Sequence, residues 1–254
     1  MNETSRTLET ALFVLILLAA AALRLPALGQ APAATPLPIE AEHLDEPLGV
    51  LEGDFRLVYD EGQRQHGPVW AYTAALVMLV AGRSLAAARL TSALFGLALV
   101  VLVYVWVRIA TQNQLLALAT MAGLAVSFWG VMTSRLATSL VTFPVFYMLA
   151  AIFLRRGIRV EEDVEDDFLP LRVRPRADVE GWLWFVLAGL ALGLSFYTYP
   201  VAYVMWLVFP AFFAFLSLTQ PGAIRQAWRG LALMLAVGAL VAAPIAVVQG
   251  QIYG

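Results

Sequence analysis

The chain has no cysteine, which excludes a disulfide framework and a thiolate metal site. It has no lysine either, so apart from the histidines every basic residue is arginine. Charge of both signs is scarce: Asp, Glu, Lys and Arg make up 13% of residues, against roughly 25% in a soluble domain. A net charge of −2 gives no basic footprint for nucleic acid. No G-x-x-x-x-G-K-[ST] loop is present to cradle a nucleotide phosphate, and the histidines, His43 and His66, stand at no metal-ligand spacing. Neither a metal nor a cofactor is expected.

What fills the chain instead is apolar sequence, 61% of residues. A bilayer core of ~30 Å needs ~20 apolar residues of helix. Leu8–Leu28, Ala87–Val107, Leu115–Thr133, Ala137–Leu154, Trp182–Tyr199, Val201–Leu218 and Leu231–Val248 meet or approach that need, giving about seven spans. No strand alternation appears, and backbone in lipid must satisfy its own hydrogen bonds, so the fold class is an all-α polytopic membrane protein. Pro68 to Gly82 is apolar but short, bounded by Gly67-Pro68 and by Gly82, and reads as an interfacial helix. With that segment not spanning and the N-terminus cytoplasmic, the loops bearing Arg108, Arg155 to Arg176, and Arg225 with Arg229 all face the cytoplasm, as the positive-inside tendency requires. The organisation is then a first span within 1–28, an outer loop with interfacial helices over 29–84, spans two to four over 85–154, a charged cytoplasmic loop over 155–180 expected to be solvated, and spans five to seven over 181–254.

The first outer loop is unusual for its acids: Glu40, Glu42, Asp45, Glu46, Glu52, Asp54, Asp60 and Glu61 all fall there. Charge is costly beside a bilayer, so such a cluster marks a candidate site. Taken alone, Asp45-Glu46-Pro47 would serve well as the start of a short helix. On the same face stand Arg24 at the outer end of the first span, Arg135 between two spans, and Arg64 with His66 before Gly67-Pro68. Snorkelling to headgroups accounts for a lone arginine in such a place. Several together, beside a carboxylate, suit a base and a phosphate clamp, because guanidinium holds phosphate in bidentate hydrogen bonds. The spans carry almost no ionisable side chains, which weighs against a transporter.

The order of short motifs carries a resemblance. Leu23-Arg24-Leu25-Pro26 ends the first span, and His43-Leu44-Asp45-Glu46 lies in the outer loop. His66-Gly67-Pro68 precedes the short helix, Gly82-Arg83-Ser84 and Ala88-Arg89-Leu90-Thr91-Ser92 follow it, and Ser134-Arg135 and Tyr197-Thr198-Tyr199 come later. In this order they resemble the polytopic GT-C glycosyltransferases of the protein-mannosyltransferase and aminoarabinose-transferase type. That resemblance implies inverting transfer of a sugar from a polyprenyl-phosphate donor on the outer face of the cell membrane. It implies Asp45 as catalytic base with Glu46 beside it, and Arg24, Arg64, His66, Arg89 and Arg135 as the group that holds the donor phosphate.

The sequence departs from that pattern at two points. Many relatives carry a second acid shortly after the Ser-Arg turn, where this chain has Leu136-Ala137-Thr138-Ser139. Relatives are also longer, so a truncated chain, a missing C-terminal half or a partner membrane subunit is expected. The competing reading is a non-catalytic GT-C-like subunit that scaffolds a partner complex; a lipid transporter is third.

Overall fold

The computed structural model describes residues 3–61, 64–162, 171–175, 179–219 and 221–253. They form helices α1 (Glu3–Arg24), α2 (Pro38–Leu51), α3 (Pro68–Ala81), α4 (Leu85–Thr111), α5 (Gln114–Val126), α6 (Phe128–Arg135), α7 (Thr142–Gly157), α8 (Val179–Ser195), α9 (Val201–Met205), α10 (Val208–Thr219) and α11 (Pro221–Tyr253). Two short antiparallel hairpins, β1 (Tyr59–Glu61) with β2 (Arg64–His66) and β3 (Ile158–Glu162) with β4 (Leu171–Pro175), complete them. The stretch expected to be a solvated cytoplasmic linker is therefore partly paired, Arg159 facing Arg174 and Glu161 facing Arg172 across the ladder.

Among the described residues, four helical segments are long and apolar enough to cross a membrane: Arg6–Arg24, Leu85–Thr111, Ser139–Gly157 and Ala227–Val248. The expected span Leu115–Thr133 is broken, with α5 and α6 meeting at 55°; counted as one span, the pair raises the total to five. The break has a local cause. Ser127 leaves helical geometry and its hydroxyl accepts from the Gly130 amide, capping a new helix. Of the remaining expected spans, Trp182–Tyr199 corresponds to α8, which ends at Ser195, and Val201–Leu218 to α9 and α10, interrupted after Met205. Seven spans would need these shorter helices to cross as well.

The chain divides into two compact units, one of Met1–Met148 with Tyr197–Tyr199 and one of Leu149–Phe196 with Pro200–Gly254. In the first, α1, α4 and α5 share a core of Ala20, Val100, Met121 and Ala125, flanked by Phe13, Leu17, Leu97 and Tyr104. A second core joins α2 and α3 to α4: Trp70, Ala74 and Met78 of α3 meet Ala87, Ala88 and Ala137, covered by Leu44, Leu48 and Leu51 of α2. The two helices expected to be interfacial are thus packed on α4. In the second unit α8 and α11 come into close approach through Gly189 and Gly193, where a Cβ would stand 2.5 Å from the Met234 carbonyl oxygen and 2.6 Å from Val241 Cβ.

The His66-Gly67-Pro68 motif has a structural explanation. The Gly67 and Val69 amides donate to the carbonyls of Thr198 and Tyr197, each at 3.1 Å. A Cβ on Gly67 would lie 2.0 Å from the Tyr197 carbonyl carbon, so only glycine lets the two backbones meet. Gly67→Ala should lower stability by about 1–3 kcal/mol, the usual penalty of overpacking; a melting temperature equal to that of the wild type would show that this junction gives way freely.

Candidate functional site

The acidic motif lies within α2 and does not start it. The helix begins at Pro38, where proline needs no amide partner, and Glu40 reaches back to accept from the Leu37 amide at 3.0 Å. Asp45-Glu46-Pro47 is therefore in mid-helix. Glu40, His43, Leu44, Pro47 and Leu51 recur at helical spacing and turn to the protein, while Asp45 projects from the opposite face and is exposed. Glu46, between the two faces, is buried at 4% exposure. Close to it stands Tyr59, whose hydroxyl burial pushes up to about 12, with the neighbouring Tyr72 and Glu46 adding to the shift.

Glu40 anchors the helix. Its carboxylate takes Arg89 Nε at 2.8 Å on one oxygen and Arg89 Nη2 at 2.7 Å on the other. The Ala137 amide donates to the first oxygen at 2.8 Å. Arg89 is completed by Nη1, which donates to the Leu28 and Ala33 carbonyls at 2.8 and 2.7 Å. Both side chains are fully buried. Burial pushes the Glu40 carboxyl up, but the hydrogen bonds from Arg89, Leu37 and Ala137 and the Arg89 charge outweigh it and hold the group below its ordinary 4.5. One carboxylate thus ties together α2, α4, the α1–α2 connection and the segment after α6.

The expected phosphate-holding residues do not form a single cluster in the described structure. Arg89, with its nitrogens on Glu40 and two carbonyls and no exposure, is a structural arginine rather than a presented one. Arg24 is 1% exposed and lies inside the bundle. Its Nη1 donates to the Ala20 and Ala125 carbonyls and its Nη2 to that of Leu124. The last two are orphan carbonyls at the end of α5, left by the break at Ser127. Arg135 reciprocates by capping α1: Nη1 donates to the Leu23 and Arg24 carbonyls, Nη2 to those of Pro26 and Ala31. It stays half-exposed at a groove of about 300 Å³ lined by Leu23, Pro32, Val126, Phe128, Val131 and Met132. The backbones of Arg64 and His66 form β2, and their side chains lie outside the described ones.

Ser139, near the position where the resemblance leads one to expect a second acid, is buried. Its hydroxyl lies 3.4 Å from His43 Nε2, and His43 Nδ1 donates to the Ile39 carbonyl at 2.8 Å. His43 meets Trp70 edge-on, and Trp70 Nε1 donates to Ser92, which donates to the Thr138 carbonyl. The first residue of the His-Leu-Asp-Glu motif is therefore a core pillar, a role that sequence reasoning did not assign to it. Glu40 was likewise counted among the loop acids and not singled out. Its place on the Leu44–Leu51 face was the available signal; its partner, 49 residues away, left none.

Breaking a buried pair strands a charge and costs about 3–5 kcal/mol, whereas replacing both partners by apolar groups can be neutral. Glu40→Ala and Arg89→Ala should each lower the melting temperature strongly, with Glu40→Leu combined with Arg89→Met recovering much of the loss. Because the folded-state carboxyl titrates below 4.5, its stabilisation is present above that pH and lost as pH falls through the lowered value. A pH series of melting curves should show an acid-side loss that is smaller in Glu40→Gln. Equal acid sensitivity in both proteins would remove Glu40 as its source.

Residues 65–167 match the family described as dolichyl-phosphate-mannose-protein mannosyltransferase. No curated protein matches the sequence. The protein O-mannosyltransferase Pmt1–Pmt2 complex of S. cerevisiae, bound to the sugar donor, superimposes with a TM-score of 0.65 at 17% identity, over 96% of this chain and 34% of that one. ArnT from Cupriavidus metallidurans, bound to undecaprenyl phosphate, superimposes with a TM-score of 0.63 at 16% identity, over 96% of this chain and 41% of its own. The chain thus spans well under half the length of either neighbour. The resemblance carried by the motifs holds in the fold: the chain is a multi-pass membrane protein with the GT-C glycosyltransferase fold, similar to the protein-mannosyltransferases and to ArnT.

Proposed function

We propose that the chain contributes the catalytic outer loop of an enzyme that transfers a sugar from a polyprenyl-phosphate donor to an acceptor on the outer face of the cell membrane, with inversion. The observation that carries this reading is the two-faced α2: one face is locked to the bundle through Glu40, and the other holds Asp45 exposed. A carboxylate on a helix fixed in that way is preorganised as a general base. In the reaction, Asp45 accepts the proton of the acceptor nucleophile, whose atom bonds to the anomeric carbon from the side opposite the phosphate. The bond from that carbon to the phosphate oxygen breaks, and the polyprenyl phosphate leaves with the bonding electrons.

Among the arginines of the expected group whose side chains are described, Arg135 is the best suited to the departing phosphate, being half-exposed beside an apolar groove that suits an isoprenoid chain. Glu46 lies next to the base and buried, so its role is to set the field around Asp45. Arg64 and His66 remain part of the proposal through their place in β2, before the Gly67 junction. The neighbours, one bound to its sugar donor and the other to undecaprenyl phosphate, support a lipid-linked donor here. The arginine-bearing loops support a cytoplasmic N-terminus, and the Pmt1–Pmt2 complex among the neighbours supports a partner membrane subunit.

Asp45→Asn should reduce transfer by at least ~10²-fold while leaving both the melting temperature and retention of polyprenyl phosphate unchanged, since Asp45 is exposed. Full activity in this variant would overturn the proposal. Indifference to it, together with a stoichiometric partner, would turn the reading to the non-catalytic scaffold. Arg135→Ala should weaken retention of the lipid phosphate; unchanged retention would leave Arg135 as a cap on α1 alone.

A further inference from the structure

The second unit carries a basic and aromatic surface that the transfer reading does not use. Phe185 of α8, 1% exposed, is held between two glycines. A Cβ on Gly157 at the end of α7 would stand 3.3 Å from its ring, and one on Gly230 of α11 would stand 2.4 Å from it. Each of these glycines follows an arginine, Arg156 and Arg229. The close approach of both glycines to one ring therefore brings two guanidinium-bearing positions to the same end of the unit.

Each guanidinium is stacked on a tryptophan. Arg156 lies 4.9 Å over the Trp184 ring, and Arg229 lies 5.6 Å over that of Trp228. Trp184 is backed in turn by Phe153, stacked at 5.8 Å. Both arginines are exposed, and among the described residues no ion pair joins either to a carboxylate. Aromatic faces orient the charge without neutralising it, which leaves the planar donors available to an external anion.

The depth of these residues selects the anion. Arg156 lies in the last turn of the candidate span Ser139–Gly157, and Arg229 is in the first turn of the candidate span Ala227–Val248. Trp182, Leu183 and Trp228 beside them are 43%, 54% and 54% exposed. Tryptophan at the end of a span sits at headgroup level, so the phosphate within reach is that of a lipid. We propose that this end of the second unit, built from Arg156, Trp184, Trp228 and Arg229, binds the phosphodiester headgroup of an anionic phospholipid in the adjoining leaflet. This assignment is independent of the catalytic reading of Asp45.

The test uses the full chain in detergent micelles doped with dioleoylphosphatidylglycerol or dioleoylphosphatidylcholine, with retained lipids counted by native mass spectrometry. The wild type should retain the anionic lipid in preference. That preference should fall on the order of tenfold in Arg156→Gln combined with Arg229→Gln, and it should weaken as salt is raised. Equal retention of the two lipids by the wild type, or a preference that survives the double substitution, overturns the proposal. Displacement of the lipid by millimolar glycerol 3-phosphate would show a site for a soluble anion and also overturn it. Should the double variant melt below the wild type, the salt series on the wild type decides: a preference indifferent to salt sinks the assignment.

Discussion

Glu40 and Arg89 meet in a fully buried, two-pronged ion pair, and the segment between α1 and α4 depends on it. Such a pair is not in itself a source of stability, because desolvation consumes most of the Coulomb gain. Its effect is to make position specific. Glu40 accepts from Arg89, Leu37 and Ala137, and Arg89 donates onward to Leu28 and Ala33. Displacing α2, or sliding the α1–α2 connection, would strand a carboxylate or a guanidinium away from water. The exposed Asp45 inherits that rigidity from the opposite face of the same helix.

A second constraint comes from the break between α5 and α6. A helix interrupted at membrane depth leaves carbonyls that lipid cannot satisfy. Arg24 answers at Leu124 and Ala125, and Arg135 does the same for the end of α1. The two arginines cross-brace the elements from which they come: the last residue of α1 serves α5, and the last residue of α6 serves α1. Charge that is costly beside a bilayer is retained here because backbone oxygens need it, and Arg135 still borders the apolar groove beside the break.

The second unit answers its own packing problem by other means. Gly189 and Gly193 let α8 and α11 touch, and aromatic rings rather than carboxylates hold Arg156 and Arg229. Two settings for arginine are thus found among the described residues: Arg24 and Arg89 are buried and hydrogen-bonded in the first unit, and Arg156 and Arg229 are stacked and exposed at helix ends of the second. The β3–β4 hairpin belongs to this unit as well, and loop composition, rich in both acids and arginines, gave no sign of its pairing.

The sequence by itself determined the class of molecule. Long apolar runs that must satisfy their backbone internally can only be membrane helices, and Pro68 to Gly82 was too short to be anything but a packed or interfacial one. It also marked the acidic segment as a candidate site, since carboxylates beside lipid are conspicuous; Asp45 was singled out within it only through the resemblance of its motif. What it could not determine was the employment of the arginines. Arg24, Arg89 and Arg135 looked alike, because a guanidinium is equally fit for a phosphate, a carboxylate or a carbonyl. The choice lies in which oxygens the fold brings near. Glu40 is 49 residues from Arg89, Ala125 is 101 from Arg24, and Leu23 is 112 from Arg135. No local pattern encodes separations of that size; only the packed helices decide them.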